Sequence, residues 1–371
     1  VIAGYQNNKD ANKNIMGCAK HFLAYSDPKF GKDRTNAWMP EYYLREYHLP
    51  SFKAAINAGV RTVMVNSALI NGVSTHMNKN ILNGLLKNEL GFTGLVVTDW
   101  QDIDNLFKRD KVAVSQKDAI MLAINAGIDM AMIPYDYQIF CNTLKELVNE
   151  KKVPMSRIDD AVRRVLRVKN EAGLLSNQNT TTETYADFGS SAHQRSAYNA
   201  AVESITLLKN QNNLLPLSTD KKLLITGPNA ASMRTLNGGW SYSWQGEKTE
   251  DFAAGYDNIV SAMKKVFTPG NVVFVPGVAY KMGGKYFEDS IVDLQMVKRE
   301  SAGVDCIVLC LGENSYTEKP GDLNDLTLSD NQLELAKVAI ETGKPVILVL
   351  NEGRPRIISS IEKQLSAIIQ T

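Results

Sequence analysis

The amino-acid sequence predicts two α/β domains, a partial TIM-like (β/α)8 barrel over residues 1–175 and a doubly wound α/β sandwich over residues 192–371. The length of 371 residues exceeds what one ordinary hydrophobic core holds and suits two domains. In both halves, short apolar runs alternate with amphipathic helical segments, which is typical of βα units. Between the halves, residues 176–191 are polar and show neither helical nor strand periodicity, so we expect an interdomain linker there.

The first half contains apolar runs rich in Val, Ile or Met, which predict parallel strands with helices between them. Two helical segments close on Gly, as helix C-caps do. A third helix is expected to open at Ser156, before apolar residues at 3.6-residue spacing. The predicted strands are GCAKHF (17–22), RTVMVNS (61–67), GLVVTDW (94–100) and IDMAMI (128–133), and the Gly-ended helices are YYLREYHLPSFKAAINAG (42–59) and QKDAIMLAINAG (116–127).

Four βα units cannot by themselves close an eight-stranded barrel. We therefore expect the missing barrel strands to be supplied N-terminal to this stretch, and the second domain to be truncated at its C-terminus. The second half predicts a doubly wound sheet whose strands are separated by helices such as NQLELAKVAIETG (331–343). The predicted strands are ITLLKN (205–210), KLLITG (222–227), NVVFVPG (271–277), CIVLCLG (306–312) and PVILVLN (345–351).

The composition excludes several classes of partner. Lys and Arg number 41 and Asp and Glu number 40, so no excess positive field is available for nucleic acid or anionic lipid. No apolar run approaches the length of about 18 residues that a membrane-spanning helix needs. The cysteines are scattered without a CxxC or zinc-like spacing, so we expect buried thiols and no metal or other cofactor. No export signal is visible in the first residues.

Polar side chains follow two predicted strands of the first half. Asp99 ends the run GLVVTDW, and catalytic side chains of parallel barrels lie at the C-terminal ends of strands. A carboxylate beside Trp100 suits a nucleophile next to a ring that stacks on a sugar, although an Asp that caps the next helix is the alternative. Lys20 and His21 end another strand, where they could donate hydrogen bonds to sugar hydroxyls. A histidine that is simply packed in the core is the commoner arrangement.

Two segments of the second half carry further candidates. The segment NGGWSYSWQG places Trp240 and Trp244 in a Gly-bounded loop, where flat rings can stack on a pyranose. Packing against the neighbouring domain is an equal alternative for these rings. The segment GENSYTEKPGD follows a predicted strand and carries Glu313 and Glu318 at an end of the sheet where ligands usually bind. A solvated acidic loop is the ordinary alternative.

In their order along the chain, the motifs CAKHF, TDW, GGWSYSWQG and GENSYTEKPGD resemble those of glycoside hydrolase family 3. The resemblance implies a barrel followed by a six-stranded α/β sandwich, with the active site between the two domains. It places the catalytic nucleophile on Asp99. Sugar-binding roles in the first domain are implied for Lys20, His21, Met64 and Trp100.

In the second domain, the resemblance implies that Trp240 and Trp244 line a second sugar subsite. The loop GENSYTEKPGD is similar to the acid/base loop of plant and Bacteroidetes-like members, which assigns the acid/base to Glu318. Glu313 directly follows the strand, so we expect it to stay near the sheet as a structural partner of the loop. The implied activity is that of a retaining, exo-acting β-glucosidase that releases glucose through a covalent glycosyl-enzyme.

Two positions depart from the family's pattern. The family often carries a Tyr where this chain has Ser67, and an Arg one turn beyond the nucleophile where this chain has Asn105. The acidic and Arg side chains that usually grip the sugar lie upstream in the family, so we expect an incomplete set of sugar-binding residues here.

Several alternatives for the activity stay open or are disfavoured. An enzyme acting on N-acetylglucosaminides is disfavoured, because KHF is followed by LAYSDPKFGKD instead of the signature used there. A β-xylosidase or arabinosidase, or a non-catalytic carbohydrate-binding relative, stays open. A nucleotide-binding protein is suggested by ITGPNA after a strand, but this motif lacks the glycine cradle for phosphate. The resemblance further implies a small carbohydrate substrate and a periplasmic or secreted location, and it leaves a homodimer open.

Overall fold

The computed structural model describes residues 1–7, 15–175 and 187–371. The chain forms two compact units, Val1–Tyr185 and Ala186–Thr371. Of the predicted linker, residues 176–186 lie outside the described residues, and residues 187–190 lead through a turn into a helix that begins at Ser191.

The first unit contains a parallel sheet and a short hairpin. Its strands are β1 (Cys18–Phe22), β2 (Thr62–Val65), β3 (Leu69–Ile70), β4 (Val73–Ser74) and β5 (Leu95–Val97). The parallel sheet has the order β1-β2-β5, and β3 pairs with β4 in the hairpin. Three predicted strands are thus confirmed in shorter form, and β5 ends at Val97 instead of Trp100.

The strand predicted over residues 128–133 is wrong, because only Met130 forms a bridge, to Val97. The side chain of Asp129 explains the interruption. Its carboxylate accepts a hydrogen bond from the Val96 amide at 2.9 Å. This backbone donor therefore bonds to a side chain instead of to a backbone carbonyl, as a regular strand ladder would require. Within residues 1–7 and 15–175, the parallel sheet therefore has three strands and no closed ring. The eight-stranded barrel stays a prediction.

Helices surround this sheet, and their ends follow local sequence signals. The Ser115 side chain accepts the Asp118 amide at 3.1 Å and opens a helix that closes at Gly127, as predicted. The last helix begins after Pro154, so the prediction that Ser156 opens it is wrong. A proline suits this place because the first turn of a helix leaves its amides unpaired.

The helix predicted over residues 42–59 is divided by a π-helical turn. The helices of the unit are α1 (Ile2–Gln6), α2 (Glu41–Tyr43), α3 (Leu49–Asn57), α4 (Asp102–Lys108), α5 (Gln116–Ala126), α6 (Tyr137–Asn149) and α7 (Met155–Glu171), with π-helical turns over Leu44–His48 and Asn80–Glu89 and a 3₁₀ turn over Thr75–Met77.

The second unit is built on a six-stranded mixed sheet. Its strands are β6 (Thr206–Asn210), β7 (Leu223–Thr226), β8 (Val272–Phe274), β9 (Val278–Tyr280), β10 (Asp289–Ile291), β11 (Cys306–Gly312), β12 (Val346–Asn351) and β13 (Ala367–Gln370). The sheet order is β6-β13-β12-β11-β7-β8, with β6 antiparallel to β13 and the other neighbours parallel. All five predicted strands are confirmed. Strand β13 and the hairpin β9–β10 were not predicted, because their short runs show little periodicity.

Helices and 3₁₀ turns connect these strands. They are α8 (Ser191–Ser204), α9 (Met233–Asn237), α10 (Thr249–Phe252), α11 (Ile259–Val266), α12 (Leu294–Ser301) and α13 (Asp330–Glu341), with 3₁₀ turns over Gln211–Asn213, Lys319–Gly321 and Glu362–Gln364. Nowhere in the described ranges is a helix both long and apolar enough to cross a membrane.

Strand β11 separates two hydrophobic clusters, because successive side chains of a strand point to opposite faces. All of its residues are buried. Ile307 and Leu309 belong to one cluster, whereas Val308 belongs to the other. Both faces of the sheet are thus covered, as the near-continuous apolar run CIVLCLG indicates.

The cysteines divide into two groups. Cys306 and Cys310 of β11 are buried, as predicted, and burial raises the pKa values of their thiols to about 11 and about 12. The prediction of buried thiols is wrong for Cys18 and Cys141, which are exposed. Cys18 is the first residue of β1, and Cys141 lies on the outer face of α6.

Candidate active site

The three parallel strands of the first unit bring the predicted site residues of that unit to one edge. Met64 of β2 pairs with Val97, the last residue of β5, and Phe22 of β1 pairs with Val65. Since parallel strands end at the same edge, the C-terminal ends of the three strands lie together there. Asp99 follows β5, and Lys20, His21 and Met64 lie near the ends of their strands. Met64 is half-buried, whereas Lys20 is exposed.

The Asp99 carboxylate lies between two cationic or polar side chains. Its Oδ2 atom is 3.6 Å from Nε2 of His21 and 3.9 Å from Nη2 of Arg34. In the part of the chain that the structure describes, Arg34 thus supplies a cationic side chain within 4 Å of Asp99. Arg34 could not be predicted, because it is one of three basic residues in the loop KFGKDRTNAW, which carries no periodic signal.

Further contacts orient His21 and Arg34. Arg34 pairs with Asp33, whose Oδ1 atom accepts the hydroxyl of Tyr25 at 2.6 Å. The Tyr25 ring in turn packs edge-on against His21, with 4.6 Å between ring centroids. The two groups near Asp99 are therefore joined through Tyr25 and Asp33.

The backbone after β5 is held in place on both sides of Asp99. The Thr98 amide donates to the Met130 carbonyl at 3.1 Å, and the Thr98 hydroxyl oxygen accepts the Met132 amide at 2.8 Å. Trp100 donates its amide to the Asp99 carboxylate at 2.6 Å, and its ring is 55% exposed. An exposed aromatic residue thus directly follows the carboxylate in the chain.

A buried histidine supports the Asp99 backbone. The Nε2 atom of His76 accepts a hydrogen bond from the Asp99 amide at 3.4 Å. The Nδ1 atom of His76 is 3.7 Å from Oδ2 of Asp102. Burial lowers the pKa of His76 to about 3, so its ring is neutral at ordinary pH and can accept that hydrogen bond. Burial likewise raises the pKa of Asp102, whose Oδ2 atom has no hydrogen-bond partner among the described residues. His76 could not be predicted from the sequence, because it lies in a short 3₁₀ turn without a periodic pattern.

The two positions that depart from the family's pattern belong to the same network. Arg109 donates to the Ser67 hydroxyl at 3.1 Å and to the Ser67 carbonyl at 2.6 Å. Asn105 donates to Oδ1 of Asp102 at 2.6 Å, and Arg109 lies 3.6 Å from the same oxygen. The arginine that this chain lacks at position 105 is therefore present one helical turn later, as Arg109.

In the second unit, residues 238–246 form what we call the Trp loop. Trp240 and Trp244 are 67% and 45% exposed, and their backbones are joined by a 2.9 Å hydrogen bond from the Trp240 amide to the Trp244 carbonyl. Tyr242 instead stacks on Phe252, with 4.5 Å between centroids. The two indole rings therefore have free faces on this unit. That they line a second sugar subsite stays a prediction.

Residues 313–322, which we call the carboxylate loop, follow β11. The buried Glu313 carboxylate accepts from the Gly353 amide at 3.1 Å, the Tyr316 hydroxyl at 3.0 Å, Arg354 at 3.0 Å and Arg356 at 2.7 Å. These contacts confirm that Glu313 is a structural partner of the loop, and they occupy both of its oxygens. Glu318 is half-buried further along the loop.

The segment ITGPNA has a structural use of its own. Gly227 has φ of 109°, and a Cβ atom there would lie 2.1 Å from the Cys310 carbonyl oxygen, so glycine permits close strand contact. Asn229 is buried and donates to the Glu313 carbonyl at 3.1 Å. Over residues 1–7, 15–175 and 187–371, no group of three His, Cys, Asp or Glu side chains is placed to hold a metal ion.

Three relatives resemble the chain over most of its length. A lysosomal β-glucosidase of Dictyostelium discoideum is 42% identical over 92% of this chain and 42% of its own length. A β-xylosidase of Formosa agariphila is 32% identical over 96% of this chain and 50% of its own length. A periplasmic β-glucosidase of Salmonella typhimurium is 29% identical over 100% of this chain and 50% of its own length. The chain thus spans about half the length of these relatives.

The fold also matches a solved structure, that of the Listeria innocua β-glucosidase in complex with glucose. Its TM-score is 0.84 at 28% identity, covering 99% of this chain and 49% of the other. The N terminal domain of glycosyl hydrolase family 3 matches residues 1–168, and the C-terminal domain of the same family matches residues 205–371. With both of its units matched in this way, the chain belongs to glycosyl hydrolase family 3.

Proposed function

We propose that the protein is a retaining, exo-acting β-glycosidase that releases glucose from the non-reducing end of β-glucosides or β-glucan oligosaccharides. The observation that carries the proposal is the environment of Asp99. Its carboxylate follows a parallel strand, has His21 and Arg34 within 4 Å, and accepts the backbone amide of the exposed Trp100. In a chain of this family, that arrangement suits a nucleophile at a sugar-binding edge.

The proposed reaction has two steps. In the first, an Asp99 oxygen attacks the anomeric carbon while Glu318 gives its proton to the departing glycosidic oxygen, which forms a covalent glycosyl-enzyme. In the second, Glu318 takes a proton from water, whose oxygen attacks the same carbon and releases Asp99. Two inversions return the original anomeric configuration, and both carboxyl groups recover their starting protonation.

The remaining predicted residues have binding roles in this proposal. Lys20 and His21 donate hydrogen bonds to sugar hydroxyls. Met64 and Trp100 offer apolar surface to the first sugar, and Trp240 and Trp244 to the next. Trp240 and Trp244 are 67% and 45% exposed, which supports their assignment to the second sugar.

The nucleophile is tested with Asp99→Ala in the complete protein. We expect turnover of aryl β-glucosides to fall by roughly four orders of magnitude or more, because no covalent intermediate can form. Azide should partly restore turnover by attacking the anomeric carbon in place of the carboxylate. Asp104→Ala is the matched control: Asp104 is a half-buried carboxylate of α4 that bonds to Lys108 and Gln116, and its loss should keep activity near that of the parent. Substantial activity in Asp99→Ala would show that the assignment is wrong.

The acid/base is tested through the leaving group. Glu318→Ala should process dinitrophenyl glucoside, which needs no protonation, far better than cellobiose, relative to the parent. The second carboxylate of the loop supplies the comparison. If Glu313→Ala shows this pattern and Glu318→Ala does not, the two roles must be exchanged.

The identity of the sugar needs a test of its own, since one of the three relatives is named a β-xylosidase. Comparing kcat/KM for aryl β-glucosides and aryl β-xylosides decides between the two activities. A higher value for the xyloside would replace glucose by xylose in the proposal. We also propose export from the cytoplasm, which the periplasmic relative supports and which cell fractionation would test.

A further inference from the structure

The Trp loop and the carboxylate loop are joined by a reciprocal pair of hydrogen bonds at Gln245. The Gln245 side chain donates from Nε2 to the Thr317 carbonyl at 3.1 Å. Its Oε1 atom accepts the Thr317 amide, also at 3.1 Å. One side chain thus satisfies both backbone groups of Thr317, much as a neighbouring strand would.

A second connection uses the main chain of the same residue. Ser315 donates its hydroxyl to the Gln245 carbonyl at 2.5 Å, and the same hydroxyl oxygen accepts from Nε of Arg234 at 2.6 Å. Ser315 is only 4% exposed, so water competes little for these bonds. Gln245 is therefore held through both its side chain and its backbone.

Two glycines of the Trp loop allow the loops to touch. A Cβ atom on Gly239 would lie 2.6 Å from the Tyr316 carbonyl oxygen, and one on Gly246 would lie 2.9 Å from the Ser315 hydroxyl oxygen. Neither distance leaves room for a side chain. The hydrogen bonds of Gln245 are thus part of a close contact between two loop backbones.

The residue after Thr317 is Glu318, and its backbone is strained. Its φ of 55° and ψ of −149° lie in a region that residues other than glycine seldom occupy, so neighbouring contacts have to hold it there. We propose that Gln245 is a positioning residue, which fixes Thr317 and thereby directs the Glu318 carboxyl group toward the leaving group. This inference rests on the proposed acid/base role of Glu318. It also links that role to Trp244, the residue before Gln245.

The test compares two substrates in variants of the complete protein. Gln245→Ala removes both bonds to Thr317, so we expect kcat/KM for cellobiose to fall on the order of tenfold or more beyond any fall for dinitrophenyl glucoside. Gln245→Glu keeps an acceptor for the Thr317 amide but sets an oxygen against the Thr317 carbonyl. It should show the same selective loss, and it provides the readout should Gln245→Ala fail to fold.

The matched control is Ser243→Ala. Ser243 lies in the same loop, but its hydroxyl bonds to Glu247 and to the Lys248 amide, away from Thr317. Ser243→Ala should change kcat/KM for the two substrates by the same factor. Equal losses on both substrates in the Gln245 variants would overturn the proposal, because they would mark a purely structural contact. If Glu318→Ala itself shows no dependence on the leaving group, the acid/base assignment fails instead, and the two failures are distinguishable.

Discussion

His76 is a buried histidine bonded to the backbone of the proposed nucleophile, and its protonation opposes folding. Its pKa falls from 6.5 to about 3 on burial. Below pH 6.5 the His76 ring is protonated in the unfolded chain, whereas in the folded chain it stays neutral down to about pH 3. The stability of the folded protein should therefore decrease as the pH falls between these two values.

The prediction concerns His76→Gln, which keeps a hydrogen-bond acceptor but cannot titrate. At pH 5 the parent should lose about 2 kcal/mol of unfolding free energy, relative to pH 7.5, that the variant does not lose. Denaturant unfolding at several pH values measures the difference. His193→Gln, at an exposed position of α8, should leave the parent's pH dependence intact. Parallel curves for the parent and His76→Gln would contradict the argument.

At the scale of elements, the contacts of Glu313 give its loop a fixed attachment to the sheet. The side chain is 2% exposed and accepts from Arg354 and Arg356, which are themselves 28% and 10% exposed. Removing one partner of such a buried cluster leaves the opposite charges uncompensated. This environment distinguishes Glu313 from Glu318 on the same loop.

The prediction compares two isosteric changes on the carboxylate loop. Glu313→Gln should lower the unfolding free energy by about 3 kcal/mol, because two arginines lose their countercharge. Glu318→Gln should change it by less than about 1 kcal/mol while reducing activity. Thermal unfolding of both variants provides the measurement. A larger loss of stability in Glu318→Gln would show that the loop is attached differently.

The elements also show what a sequence can predict. Strand β11 was predicted with its observed bounds, because a strand buried on both faces leaves an uninterrupted apolar run. The run over residues 128–133 is similarly apolar, but the Asp129 side chain takes the Val96 amide and interrupts the strand pairing. Such competition between a side chain and the backbone leaves no trace in the hydrophobic periodicity. Arg34 and His76 were missed for a related reason, since side chains that converge from separate loops leave no pattern in the sequence.

At the scale of the whole molecule, each compact unit has a hydrophobic core of its own. Leu86 is fully buried in the core of the first unit, and Leu309 is fully buried in the second. A substitution in one core should act first on the unit that contains it.

The prediction compares Leu86→Ala with Leu309→Ala by calorimetry. Each change should remove about 2 to 5 kcal/mol from its own unit, through lost burial and a residual cavity. We expect two transitions, with a different one lowered in each variant. A single transition lowered equally by both changes would show that the units unfold together.

Strand β6 (Thr206–Asn210) has consequences for how the chain emerges from the ribosome. Its neighbour in the sheet is β13 (Ala367–Gln370), which follows the other five described strands of that sheet in sequence. Until β13 emerges, β6 and β12 each have a free edge that can pair with other chains. Joining segments so distant in sequence is also slow, because a long loop has to close first. Until β13 is synthesised, the nascent sheet therefore exposes unpaired strand edges, so this is the interval in which chaperone binding or aggregation is most favoured.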